Sequence, residues 1–217
     1  SSRPTRQVLA ATKLQSLGRM RRGQKVHAAV HKVTSDGLFV RLSRGIKGRV
    51  HILNVSDSAE VLEAPEQVYE AGQVIVALVV DVNKDKDAVE LSLVPNRKIK
   101  VGEKVIGRVA VDASGDKSVS VLVELAPNRL FSLHASEVSD KMHKAPLAAF
   151  EKGQFIECFV IREDAKDKKK NAVSLRSNKP KSVTDFTSGE LYTGYVNSTS
   201  KMGCFVTLAH GIDAQVK

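Results

Sequence analysis

The alternation of apolar and polar positions marks short strands. In GLFVRL (37–42), Leu38, Val40 and Leu42 fall on one face and Phe39 and Arg41 on the other. GQVIVALVVDV (72–82) and AVELSLV (88–94) are rich in Val, Ile and Leu and are parted by the turn-like NKDKD. GRVHI (48–52) is a shorter run, and the stretch from Ser56 to Ala71 has helical composition, with Pro65 placed for a helix start. The predicted order is three strands, a short helix and a strand pair. Five short strands with one helical connection suit a small closed barrel of the OB type, in which closure removes the exposed sheet edges.

The succession repeats along the chain. GQKVHAAV (23–30), GEKVIGRV (102–109) and GELYTGYV (189–196) open alike. VHILNVSD (50–57) answers LHASEVSD (133–140), and APEQVYEAGQ (64–73) answers APLAAFEKGQ (145–154). VELSL (89–93) answers AVSLR (172–176), with every landmark offset by about 80 residues and the order unchanged. GIDAQVK (211–217) matches GIKGRVH (45–51), so the third copy is expected to be a first half only. The expected divisions are a tail of a preceding repeat with a basic linker (1–22), a complete repeat (23–94), a linker (95–101), a complete but diverged repeat (102–176), a linker (177–188) and the half repeat (189–217). The opening SSRPTR compares with SLRSNKP (174–180), so the chain reads as a window on a longer tandem array.

Composition adds a partner class. Of 217 residues, 42% are apolar and 27% charged, which is ordinary for a folded domain. No apolar run reaches the roughly 20 residues of a membrane-spanning helix, and no clean secretory signal opens the chain. Cys158 and Cys204 stand far apart in apolar runs, which excludes a disulfide scaffold and a cysteine zinc site. Lys and Arg number 34 against 24 acids, and residues 1–35 carry eight bases (Arg3, Arg6, Lys13, Arg19, Arg21, Arg22, Lys25, Lys32) and no acid. Such a stretch favours polyanions, nucleic acid above all.

These features resemble the S1-type RNA-binding domain, an OB-fold barrel. The resemblance rests on the opening G-x-x-V, the G-x-F-V entry to strand two (Gly37, Phe39, Val40; Gly203, Phe205, Val206), G-x-x-G-x-V-H (Gly45, Gly48, Val50, His51), the following V-S-D and the late G-Q-x-[IV]. It implies an all-β fold of tandem five-stranded barrels, each with a short helix between strands three and four. It also implies RNA lying across strands two and three, on aromatics, the strand-three histidine and bases near the last loop. Stacking on a ring is worth about 1–3 kcal/mol per base, and neutralised phosphates make binding salt-dependent.

Carried over residue by residue, the copies are unequal. Copy one offers Phe39, Arg41, Lys47, Arg49 and His51 on one outward face, with Asp36 where a first aromatic would stand. Copy two has Leu122, Glu124, Leu130 and Ser132 in place of Phe39, Arg41, Lys47 and Arg49, and keeps only His134, for which a structural role is the favoured reading. Leu122 and Leu130 are therefore expected to contact protein, since exposed apolar patches mark interaction surfaces. Lys168 and Lys169, in EDAKDKKKNA (163–172), could touch phosphates from the side. Copy three offers Phe205, with Met202 in the first aromatic slot and Lys217 at the histidine position; Tyr192 and Tyr195 add rings.

Other chemistry fails. His27 and His31 lack a third metal ligand, so packing or exposure explains them. No phosphate-cradling loop occurs, no carboxylate recurs with a base or nucleophile, and the V-S-D residues Ser56, Asp57, Ser139 and Asp140 are explained by helix capping. The expectation is a non-catalytic RNA-binding scaffold without cofactor, metal, membrane or small-molecule substrate. Diverged, basic, unequal repeats resemble the eukaryotic ribosomal RNA processing proteins with many S1 repeats. That implies precursor rRNA, single-stranded or structured, and ribosome-assembly proteins as partners, in the nucleolus, during small-subunit assembly and the cleavages that separate the subunits. The alternatives are a structural array that mainly docks proteins and a bacterial-type ribosomal S1-domain protein binding mRNA; an enzyme with accessory S1 domains ranks third.

Overall fold

The computed structural model describes residues 20–43, 46–84, 87–94, 99–112, 119–139, 143–164, 167, 170–176 and 182–217. The chain divides into two compact units, Ser1–Lys98 and Ile99–Lys217.

The first unit is a closed barrel of β1 (Lys25–Thr34), β2 (Gly37–Ser43), β3 (Ile46–His51), β4 (Val74–Asn83) and β5 (Ala88–Ser92), in the order β1-β2-β3-β5-β4. Alternation builds the core. Val26, Ala28 and Val30 of β1, Leu38 and Val40 of β2 and Val50 of β3 meet Ile75, Ala77, Val79, Val89 and Leu91 inside. Each Val, Leu or Ile so removed from water contributes about 1.5–3 kcal/mol, which fixes which face of every strand turns out. The β3–β4 connection carries a 3-10 turn (Ile52–Asn54), the short helix α1 (Ala59–Glu63) and a second 3-10 turn (Pro65–Gln67). Leu62 of α1 is buried, while Pro65 opens the second turn, where its missing N–H costs nothing.

The second unit opens with another closed barrel, made of β6 (Lys104–Val111), β7 (Ser120–Ala126), β8 (Arg129–His134), β9 (Phe155–Arg162) and β10 (Ala172–Ser174). Its core includes Val123, Leu125, Phe131, Leu133, Cys158 and Val160, with a 3-10 turn (Ala135–Glu137) after β8. A three-stranded antiparallel sheet follows: β11 (Tyr195–Ser200), β12 (Gly203–Ala209) and β13 (Ile212–Val216). The fold is all-β with five-stranded OB-type barrels, as the strand pattern predicts.

Glycine is required where β2 begins. Gly37 has φ +122°, and a Cβ there would stand 2.0 Å from the Val50 carbonyl oxygen; Gly203 has φ +120° and the same 2.0 Å approach to the Val216 oxygen. The sequence motif G-x-F-V is thus a point of close backbone approach that sets the β2–β3 register.

Candidate nucleic-acid interface

The outward face of the first barrel is ordered by strand register. Phe39 on β2 stands opposite Arg49 on β3 and, on its other side, Lys32 on β1. Arg49 in turn is level with Glu90 on β5, and Glu90 with Asp81 on β4. One rung around the barrel therefore reads Lys32–Phe39–Arg49–Glu90–Asp81. Phe39 is 41% exposed because its neighbours Leu38 and Val40 take the inward positions. The Arg49 guanidinium carbon lies 6.0 Å from the Phe39 ring centroid, at the range of a cation–π contact. The Arg49 Nε is enclosed and makes no hydrogen bond. Ring and cation together form a platform on which a base can stack.

The next rung pairs Arg41 with Lys47. His31 joins them, its Nε2 lying 3.4 Å from an Arg41 terminal nitrogen. His31, Lys32, Phe39, Val40, Arg41, Lys47 and Gly48 line a groove of about 400 Å³. Phe39, Arg41 and Lys47 thus line one groove, and Arg49 stands beside Phe39 on the same face.

His51 is not part of that groove. It is only 8% exposed, and its Nδ1 accepts the Leu53 backbone N–H at 3.4 Å, capping the 3-10 turn that follows β3. Strict alternation would send it outward with Lys47 and Arg49, but β3 ends there and the ring folds back over the turn. His134 does the same in the second barrel, its Nδ1 accepting the Ser136 N–H at 3.1 Å. The shared strand-three histidine is in both barrels a capping residue.

His31 and Lys32 are missed by sequence reasoning. The β1–β2 register shifts between Val30 and Lys32, so His31 is a bulge residue and both side chains face out. By parity Lys32 belongs with the inward Val26, Ala28 and Val30, and nothing local in HAAVHK announces the bulge. Glu90 and Asp81 are missed too, because their place beside Arg49 depends on pairing between strands distant in sequence. The Glu90 carboxyl is pushed above the ordinary carboxylate range, first by burial, against the lowering pull of Arg49, with Asp81 adding a further rise.

In the second barrel the rung equivalent to Lys32–Phe39–Arg49–Glu90–Asp81 reads Val111–Leu122–Ser132–Ala172–Arg162. The next rung pairs Glu124 with Leu130. Leu130 is 41% exposed and Val111 more so, whereas Leu122 is half-buried. Glu124 accepts the Asn128 N–H across the β7–β8 turn, and Arg129 pairs with Glu163. Lys168 and Lys169 lie outside the described residues.

In the third copy Phe205 is 38% exposed but faces Gln215 and Ser198, with no cation on its rung. Thr207 donates to Asp213 at 2.6 Å on the rung where copy one has Arg41 and Lys47. Thr207 and Ala209 are buried on the outward side of β12, which packs against the Ala135–Glu137 turn. The His210 N–H donates to the buried Glu137 at 3.0 Å, and the Tyr195 hydroxyl donates to the His143 carbonyl at 3.2 Å. His134 and His210 are both held below the ordinary histidine range, chiefly by burial.

Comparison with known proteins finds similarity to S1-domain proteins. Residues 20–93 match the family model described as the RRP5 S1 domain. The chain is 26% identical over 204 residues to the small ribosomal subunit protein bS1 of Chlamydia trachomatis, covering 89% of this chain and 36% of that one. It is 25% identical over 247 residues to the rRNA biogenesis protein RRP5 of Arabidopsis thaliana (90% of this chain, 13% of the relative). It is 27% identical over 202 residues to the human RRP5 homolog (88% and 11%). Among solved structures, GSP13 of Bacillus subtilis matches at 24% identity and a TM-score of 0.32, over 38% of this chain and 65% of its own. The family match covers the first barrel, and the chain carries a second closed five-stranded barrel after it. The chain resembles RRP5 and bS1, and it spans from about a tenth to about a third of the length of these curated relatives.

Proposed function

We propose that this chain is a non-catalytic RNA-binding segment of a multi-S1-repeat protein that binds precursor rRNA during small-subunit assembly and pre-rRNA processing in the nucleolus. The observation that carries the reading is the Phe39–Arg49 platform flanked by Arg41 and Lys47. A base stacks on Phe39 while Arg41, Lys47 and Arg49 neutralise phosphates, so affinity depends on salt but little on base identity. Phe205 supplies a weaker ring, and Lys168 and Lys169 a lateral phosphate contact. His51 acts by holding the end of β3. The repeats act as the units 23–94, 102–176 and 189–217, without cofactor, metal or small-molecule substrate. The match to an RRP5 S1 domain and the two RRP5 relatives support the rRNA assignment.

The exposed Leu130 and Val111 beside Leu122 favour a second role for the second barrel. A face with exposed Leu130 and Val111, with Leu122 and Ser132 where the first barrel has Phe39 and Arg49 and Glu124 where it has Arg41, suits a ribosome-assembly protein better than RNA. Photocrosslinking of the chain to 4-thiouridine RNA tests both readings. Crosslinks are expected in the peptide that contains Phe39 and not in the peptide that contains Leu122; the reverse pattern would overturn the assignment of barrels.

A further inference from the structure

We infer that Glu90 is a counter-charge built into the RNA face. Its carboxylate compensates Arg49 and, with Asp81, bars phosphates from the β5–β4 side, so that RNA is confined to the β1–β3 side and held less tightly than the cations there would allow. The inference rests on the RNA reading above.

Three observations carry it. Glu90 occupies the same rung as the platform, one strand beyond Arg49, and adjacent strands lie about 4.8 Å apart. Its side chain points outward, since Val89 and Leu91 on either side are buried. Beyond it stands Asp81, directly opposite on β4 and tied to Arg22 at 3.4 Å, so that among the described residues Arg49 is the cation that acts on Glu90. Two carboxylates directly opposed across a strand pair destabilise a sheet. The barrel does not need them, because the second barrel holds Ala172 and Arg162 at these positions. An acid pair that the fold can do without, placed where a polyanion would otherwise spread, acts on the ligand.

The test is Glu90→Gln in the full chain, titrated by fluorescence anisotropy with a single-stranded RNA of about 20 nucleotides. Loss of one charge beside the platform is expected to tighten binding about threefold to tenfold at low salt. The slope of log affinity against log salt should steepen by about 0.7, one more neutralised phosphate on a single strand. Asp81→Asn should tighten binding by less. The advantage of Glu90→Gln should shrink as pH falls towards 4.5, because the raised carboxyl of the parent then takes up its own proton. A merely structural role for Glu90 would produce no such convergence. Equal or weaker binding by Glu90→Gln, with an unchanged melting curve, overturns the inference. Phe39→Ala measured alongside separates the two failures. If Phe39→Ala leaves affinity unchanged, the RNA face itself is wrong; if it weakens binding and Glu90→Gln does not tighten it, only the role of Glu90 is lost.

Discussion

The repeats invite an exchange that the structure forbids. Ser120 in the second barrel stands opposite His134 as Gly37 stands opposite His51, so Gly37→Ser looks like a swap between siblings. Ser120, however, is not among the described residues with positive φ, whereas Gly37 has φ +122°. A Cβ at 37 would lie 2.0 Å from the Val50 oxygen, 2.7 Å from the Ile52 nitrogen and 2.9 Å from the His51 carbonyl carbon. All three are backbone atoms and cannot rotate aside, so relief requires β2 and β3 to part. The backbone conformation alone costs about 1–3 kcal/mol, and with the overlap the total reaches about 3–5 kcal/mol. Against a domain stability of about 5–15 kcal/mol, that leaves the first barrel marginal. Hydrogen exchange read by mass spectrometry on the full chain localises the effect. Amides of β1–β5 should exchange more than a hundredfold faster, since about 1.4 kcal/mol is tenfold, while β6–β10 keep their protection. Unchanged protection in 37–51 would refute the argument from close approach, and with it the account of how Phe39 is held against Arg49.

Other consequences can be checked in solution. Arg41→Glu, which installs the second barrel's residue in the groove, should weaken RNA binding and flatten the salt slope by about one phosphate contact; an unchanged slope contradicts the placement of phosphates along Arg41 and Lys47. Leu122→Ala should leave RNA affinity within about twofold, and a large loss would end the division of roles between barrels. His134 and His210 have folded pKa values below the unfolded value of about 6.5, so the stability they contribute is fully present above that pH and is lost as pH falls below it. The melting temperature of the second unit should therefore drop between pH 7.5 and 5.5. His134→Gln combined with His210→Gln should flatten that drop, and a parent protein insensitive to pH over this range would contradict it.

What the sequence makes legible and what it hides divide along physical lines. Alternation in GLFVRL places Phe39 and Arg41 correctly, because period two within one strand needs no knowledge of partners. The order of landmarks reveals the repeats for the same local reason. Lys32 escapes because a bulge at His31 breaks the parity of β1, and bulges arise from pairing rather than from composition. Glu90 escapes because the β3–β5 pairing is parallel and joins segments about 40 residues apart in sequence, so no window contains both it and Arg49. His51 is located correctly in sequence but not in orientation, since the 3-10 turn it caps begins at the next residue. In the last sheet the burial of Thr207 and Ala209 depends on the neighbouring Ala135–Glu137 turn, which the sequence of 189–217 alone does not encode.

The central claim is that the first barrel grips RNA through stacking on Phe39 reinforced by surrounding cations. Fluorescence anisotropy of the full chain with a single-stranded RNA of about 20 nucleotides, across a salt series and beside a DNA of the same sequence, addresses it directly. Micromolar or tighter binding is expected, with a negative salt slope and a loss of about tenfold on Phe39→Ala with the fold intact. Binding that is absent, or untouched by that substitution, would make the segment a protein-docking scaffold and contradict the account.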